Sequence, residues 1–333
     1  MPLDVILLGT GSPVHVGHRF GPSQVITDGT TRILVDTGWA STLRLVQAAI
    51  LPQSVDAVFF THLHSDHTTD LADFLVMRWV GGIGQAIPIY GPEGTKRMVH
   101  GFQEAMAADT KYRLDHHGDK LWSGGLAADI TEIGAGDEPV EVARIGEIVV
   151  KAYEVDHRPV KPAYGFRFEK DGRSIAVSGD TNPCPGLLNG ARDADILVCD
   201  TMNVGMMKVV EERLRAIGNA AQASLLEDAH DYHADIKDMA ALAQEAGVKH
   251  LVLSHILPAP WACRCGWLCP WRRTGGGNSN GRTARGIPRF ACSARKPRTT
   301  GETFLSGWRS KFLICHLSLN CGRTQNPGWP TAV

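Results

Sequence analysis

The first 260 residues of this 333-residue chain hold only two cysteines, Cys184 and Cys199, so no disulfide framework organises them. So few thiols fit a reducing compartment, and a cytoplasmic location is expected. No run approaches the roughly 18 to 20 apolar residues needed to cross a bilayer, so no membrane contact is expected. The opening MPLDVILLGTGSP has no basic region and carries Asp4, so it reads as a strand and not as a signal peptide. Its glycines are not followed by the Lys-Ser/Thr of a nucleotide-binding P-loop; a tight turn under the functional site is the expectation for them. Neither cysteine has a positioned base nearby in sequence, which argues against cysteine nucleophile chemistry.

Acidic residues are missing from one place in particular. Residues 261–333 contain a single acid, Glu302, beside 12 Lys+Arg, whereas residues 1–260 contain 34 Asp+Glu against 22 Lys+Arg. The overall charge of -1 therefore averages an acidic body and a basic tail. Six of the eight cysteines and five of the eight tryptophans also lie in the tail. A nucleic-acid arm is one reading of such a segment. A metal module is another, although Cys263-x-Cys265-x3-Cys269 lacks the paired spacing of a zinc ribbon. With almost no acids and no helix-length apolar period, unselected sequence such as a shifted reading frame fits best. The expected organisation is a folded body over 1–260 and a poorly ordered tail over 261–333.

Within the body, apolar runs alternate with turn signals. DVILLG, SQVIT, RILVD, VDAVFF and IPIYG read as strands, with DG closing a hairpin. STLRLVQAAIL, TTDLADFLVMRWV and GTKRMVHGFQEAMAA carry helical spacing. EIVVKAYEVDH, AYGFRFEKDGRSIAVSGDT and ADILVCDT repeat the strand logic, DIKDMAALAQEAG is a helix closed by Gly247, and VKHLVLSH is a final strand ending at His255. Residues 109–130 are polar and glycine-bearing, a candidate loop or lid. Two comparable halves of strands with interspersed helices imply an αββα sandwich.

The sharpest signal is Thr61-His62-Leu63-His64-Ser65-Asp66-His67, directly after an apolar strand. His62 and His64 alternate onto one face of an extended segment and can reach one ion. Asp66 and His67 follow at the turn into a helix and can reach a second. Imidazole with carboxylate suits zinc, with manganese or iron as alternatives. His157, Asp180 and His255 each stand where a strand runs into a loop, and they complete a seven-ligand set. That set gives three histidines to one ion, Asp66, His67 and His255 to the other, and Asp180 to both. Two adjacent cations lower the pKa of a shared water to about 7, providing hydroxide for attack on an ester.

HxHxDH with His157, Gly179-Asp180-Thr181 and Ser254-His255 resembles the metallo-β-lactamase superfamily. LLGTGSP, Gly21-Pro22-Ser23, GPEGT and the helix ending EAGVKHLVLSH resemble its ribonuclease Z and arylsulfatase-like branch, over roughly residues 3–258. The resemblance implies a dizinc hydrolase in which Asp66 and Asp180 orient the nucleophile. It also implies that His233 stabilises the transition state and protonates the leaving oxygen, with His230 as the fallback. Tyr164, Arg167 and Trp79 are pocket neighbours or core residues, and His116 and His117 are lid or surface residues.

A small sulfate or phosphate ester is the expected substrate, and lactone or β-lactam opening is the alternative. Transfer-RNA 3′-end cleavage ranks lower. In the family it depends on an arm inserted between the ligands matching His157 and Asp180, and only 22 residues separate them here. The acidic body also disfavours nucleic acid as a partner. A closed, non-enzymatic metal site ranks last. A homodimer is a compatible assembly.

Overall fold

The computed structural model describes residues 2–16 and 19–259. The basic segment 261–333, and the readings offered for it, lie outside the described residues. Twelve strands among them form two six-stranded sheets. The first contains β1 (Asp4–Gly9), β2 (Ser23–Thr27), β3 (Arg32–Val35), β4 (Ala57–Phe59), β5 (Ile87–Gly91) and β6 (Ala128–Glu132), side by side in chain order. The second runs in reverse spatial order, from β12 (His250–Leu257) through β11 (Ile196–Met202), β10 (Arg173–Val177), β9 (Tyr164–Lys170) and β8 (Ile148–Glu154) to β7 (Val140–Ile145). In each sheet one half is antiparallel, and the three or four strands nearest the other edge are parallel.

Period-two alternation assigns each strand residue to a layer. Phe59 of β4 faces the second sheet, while its neighbours Val58 and Phe60 face outward. Ile26, Ile33, Val35 and Phe59 of one sheet meet Val150, Phe166, Phe168, Ile175 and Val198 of the other in the central core. Phe59 sits edge-on to Phe166 with ring centroids 5.3 Å apart, a geometry the aromatic quadrupole favours. Outside the first sheet, Val58, Phe60 and Ile89 pack beneath α1 (Ser41–Gln47), α3 (Leu71–Val80) and α4 (Thr95–Ala105). Outside the second, Tyr153, Leu197 and Cys199 pack beneath α6 (Pro185–Ala191) and α9 (Ile236–Glu245). This is the four-layer αββα sandwich expected.

Several local expectations change. Residues 109–130 are a loop only in part: Ala107–His117 is helix α5, and turns over 121–127 return the chain through buried Leu126 into β6. No residue of α5 is buried, so it lacks the apolar stripe by which a helix is recognised; ion pairs of Lys111 with Asp115 and Arg113 with Asp109 lie along it. His116 and His117 are exposed in its last turn. The glycines at the end of β1 also have a packing role. A Cβ on Gly9 would lie 1.9 Å from the Gly21 carbonyl oxygen, so their role is close backbone approach. β12 does not end at His255. Asp200 pairs with Ser254 and Thr201 with Ile256, leaving His255 as the extra residue of a bulge with φ 45°. Two helices, α7 (Val204–Ala216) and α8 (Ala220–Asp228), occupy a stretch with no earlier assignment; Asn203 and Asn219 cap their N-termini.

Candidate metal centre

The clustered side chains stand just after strands β4, β8 and β10 or, for His255, within β12. After β4 the chain stays extended through His62 and His64, then turns into the short helix α2 (Ser65–Thr68), which carries Asp66 and His67. His157 follows β8, Asp180 follows β10, and His255 bulges from β12.

All seven expected ligands come together, as does His233. Single ligand atoms of His62, His64, His157 and Asp180 lie within 4.8 Å of one another, and so do those of Asp66, His67 and His255. His64 Nδ1 is 3.1 Å from His62 Nε2 and 3.2 Å from His157 Nε2. Asp180 Oδ2 stands 3.8, 3.3, 4.0 and 3.2 Å from the Nε2 atoms of His62, His67, His157 and His255, a position between the two groups. His255 Nε2 is also 3.2 Å from Asp66 Oδ2. Only His64 of these seven is exposed, so the cluster opens to solvent on its side.

The outer nitrogens explain why the inner ones are free. Asp36, buried after β3 at φ 58°, accepts the Thr61 amide at 2.9 Å through Oδ1. Its Oδ2 accepts the Thr61 hydroxyl at 2.9 Å and His67 Nδ1–H at 2.9 Å. The Thr61 hydroxyl proton is thereby committed, so Thr61 Oγ1 accepts from His62 Nδ1, 3.1 Å away. His157 Nδ1 donates to the Tyr232 carbonyl at 3.1 Å. Each of these imidazoles therefore turns Nε2 inward, the arrangement by which outer partners orient metal-binding histidines.

Asp200, within β11, orients His233, whose Nδ1 is 2.7 Å from its Oδ2, while its Oδ1 is 3.3 Å from His255 Nδ1. Neither Asp36 nor Asp200 stands out in the sequence, although each is an acid directly after a buried apolar run. His230, the fallback, turns away to Glu211 on α7 at 2.7 Å. Trp79 and Tyr164 are core residues whose polar atoms bond the carbonyls of Trp122 and Ile133, and Arg167 bonds those of Gly190 and Arg192.

Charge in the cluster is strongly perturbed. Burial, followed by the neighbouring imidazoles, pushes His62 well below the ordinary histidine range, and burial lowers His64 and His157. Burial also opposes charge on His67 and His255, but Asp180 and the other carboxylates around them outweigh it and hold both well above that range. Asp180 is buried yet held well below the usual carboxylate range by His255, His67 and His62. His67 Nε2 and Asp180 Oδ1 are nevertheless buried with no hydrogen-bond partner. Buried polar atoms left over in a set of inward-facing nitrogens fit a cation bound between them. Oxygen and nitrogen donors alone suit zinc and related divalent ions. By contrast, burial pushes the Cys199 thiol up, which suits an inert core position.

Residues 31–256 match the family described as "Beta-lactamase superfamily domain". The chain belongs to the metallo-β-lactamase superfamily and is a metal-dependent hydrolase. It falls in the ribonuclease Z branch. A protein named "Ribonuclease Z" from Mycobacterium bovis is 35% identical over 261 residues, covering 77% of this chain and 87% of the relative. One of the same name from Mycolicibacterium paratuberculosis is 36% identical over 260 residues, with the same coverage of each. Among solved structures, human tRNase Z, short form, superposes with a TM-score of 0.57 at 21% identity, covering 76% of this chain and 92% of that one. The metallo-beta-lactamase fold protein YhfI of Bacillus subtilis superposes at 0.53 and 17%, covering 77% and 87%. No helix among the described residues is long and apolar enough to cross a membrane.

Proposed function

We propose that this chain hydrolyses a small phosphate or sulfate ester, with a phosphodiester as the leading substrate. In this reading His62, His64 and His157 hold one ion, Asp66, His67 and His255 hold the other, and Asp180 serves both. When bound, the ions supply hydroxide near neutral pH and polarise the ester under attack. Asp66 and Asp180 present carboxylate oxygens that accept a proton and orient the nucleophile. Asp200, kept ionised by His233 against the cost of burial, holds Nδ1–H of that histidine. His233 Nε2 then donates a proton to the departing oxygen.

The observation that carries the small-substrate reading is the connection between His157 and Asp180. It consists of β9 and β10 paired as a tight antiparallel hairpin, from Arg173 opposite Lys170 to Val177 opposite Phe166, with no arm inserted. RNA is the second reading, favoured by relatives named ribonuclease Z that align over 87% of their length. One panel separates the readings: a bis-aryl phosphodiester, an aryl sulfate, a lactone, a β-lactam and a precursor tRNA, each with an Asp66→Ala control. Metal-dependent turnover of an aryl ester alone is the expected result. Turnover of the tRNA alone selects the second reading, and dominant lactone or β-lactam opening rejects both.

A further inference from the structure

Tyr232 adjoins the metal centre with its backbone committed on every side. The chain reaches it through the turn Ala229–Asp231, and the amides of Tyr232 and His233 both bond the Ala229 carbonyl, at 3.4 and 3.2 Å. Just before it, the Asp231 carbonyl accepts Asn182 Nδ2 at 2.6 Å, and two residues on, the Ala234 amide bonds the Thr181 carbonyl at 3.2 Å. The Tyr232 carbonyl itself accepts His157 Nδ1–H at 3.1 Å. These contacts tie the residue to the loops that carry Asp180 and His157, so its place beside them is fixed.

The side chain is half-buried. Its ring meets that of His157 edge-on at 5.4 Å and lies 4.8 Å from that of His233, the proposed proton donor. It also packs against the small apolar cluster of Met202, Met207, Ala229 and Leu257. A phenylalanine would make all these contacts, so the hydroxyl is surplus to packing. The phenols of Tyr153 and Tyr164 bond the carbonyls of Val177 and Ile133, whereas the Tyr232 hydroxyl has no hydrogen-bond partner among the described residues. Burial, then the carboxylates of Asp228, Asp180, Asp66 and Asp231, raise this phenol above its ordinary range, so it remains a donor at neutral pH. Two of those carboxylates, Asp180 and Asp66, belong to the ligand cluster itself.

We infer that Tyr232 is a catalytic residue whose O–H donates a hydrogen bond to a non-bridging oxygen of the ester held at the metal centre. The inference rests on the proposed ester hydrolysis and adds a donor to it. In phosphoryl transfer the transition-state charge is spread over the oxygens outside the line of attack. A donor fixed in advance stabilises that charge without reorganising during the reaction. His233 serves the departing oxygen, so the two neighbours act on different oxygens of one centre.

Tyr232→Phe removes the hydroxyl and keeps the ring and the backbone carbonyl. Steady-state hydrolysis of an alkyl phosphodiester and of bis(para-nitrophenyl) phosphate is compared in the zinc-loaded full chain, wild type and variant. Zinc affinity is read by chelator competition, and phenylphosphonate binding by calorimetry. The variant is expected to lose about 10- to 100-fold in kcat on both diesters, with little change in KM and unchanged zinc affinity. Equal losses are the signature of a non-bridging contact, because a fault in His233 would spare the para-nitrophenyl ester, whose phenolate leaves unaided. Phenylphosphonate, whose dianion carries more charge on its oxygens than a diester does, is expected to bind the variant about tenfold more weakly. A loss confined to the alkyl diester, a fall in zinc affinity, or unchanged phenylphosphonate binding overturns the inference. If wild type hydrolyses neither diester, the phosphodiester reading fails separately, and the phenylphosphonate comparison still decides the role of the phenol.

Discussion

Replacing His233 with alanine should cost far more with a poor leaving group than with a good one. His233 is buried, its ring centroid lies 5.4 Å from that of His157 and 5.0 Å from that of His255, and Asp200 occupies its Nδ1 at 2.7 Å. Only Nε2 remains to meet an oxygen leaving the cluster. A positioned general acid contributes on the order of 10²–10⁴ in rate, or about 3–5 kcal/mol of barrier. An alkyl phosphodiester, whose alkoxide needs that proton, should lose this full factor in kcat. A para-nitrophenyl diester, whose phenolate departs unaided, should lose less than about tenfold. The assay is steady-state hydrolysis of both substrates by wild type and His233→Ala at matched zinc occupancy. Asp200→Asn should follow the same pattern, because an amide opposite Nδ1 no longer stabilises the protonated ring. Equal losses on the two substrates would refute the proton-donor role and leave His233 as a residue that only shapes the site.

Asp36→Asn should lower zinc affinity about 10- to 100-fold, read by competition with a chromophoric chelator, because Thr61 and His67 lose the carboxylate that orients them. Gly190→Ala lies within α6, where alanine ordinarily favours a helix by about 1 kcal/mol. Here its Cβ would sit 2.2 Å from the fully buried Tyr153 ring, so chemical denaturation should show a loss of about 1–3 kcal/mol instead. Asp28 is held well below the usual carboxylate range by Lys170 and by the amides of Thr31 and Thr30. A depressed folded-state value means stability that is present above the unfolded carboxyl value near 4 and is lost as pH falls through the folded one. Asp28→Asn should therefore melt several degrees below wild type at neutral pH, with a gap that narrows as the buffer is acidified below about pH 4.

The ligand cluster was legible because chemistry concentrates there: four donor side chains within six residues have no bland counterpart. His157, Asp180 and His255 were legible as polar residues closing apolar runs of sequence. Asp36 and Asp200 share that signature, but a single acid after a strand is also an ordinary turn residue, and only the three-dimensional partners Thr61, His67 and His233 separate the two cases. The layers followed from alternation such as Val58, Phe59 and Phe60. Helix α5 did not follow, because a helix with no fully buried residue and one partly buried leucine leaves no period to read. Of the thirteen residues of α7 only Met207 and Glu211 are buried, which hid that helix for the same reason. The bulge at His255 depends on pairing between β11 and β12 and has no local sequence mark.

The division of the proposed ligands between the sheets has a mechanical consequence. His62, His64, Asp66 and His67 belong to the half built on β1–β6, while His157, Asp180 and His255 belong to the half built on β7–β12. With that assignment neither half could close either coordination shell by itself, and each ion would be a clasp across the seam of the sandwich. Chelation should loosen that rim first, visible as faster amide exchange in residues 61–68 and 178–181 than in the Phe59–Phe166 interior. The same seam makes the protein a natural split reporter: two fragments divided between β6 and β7 would regain hydrolysis only when reunited, and zinc would be what fastens them.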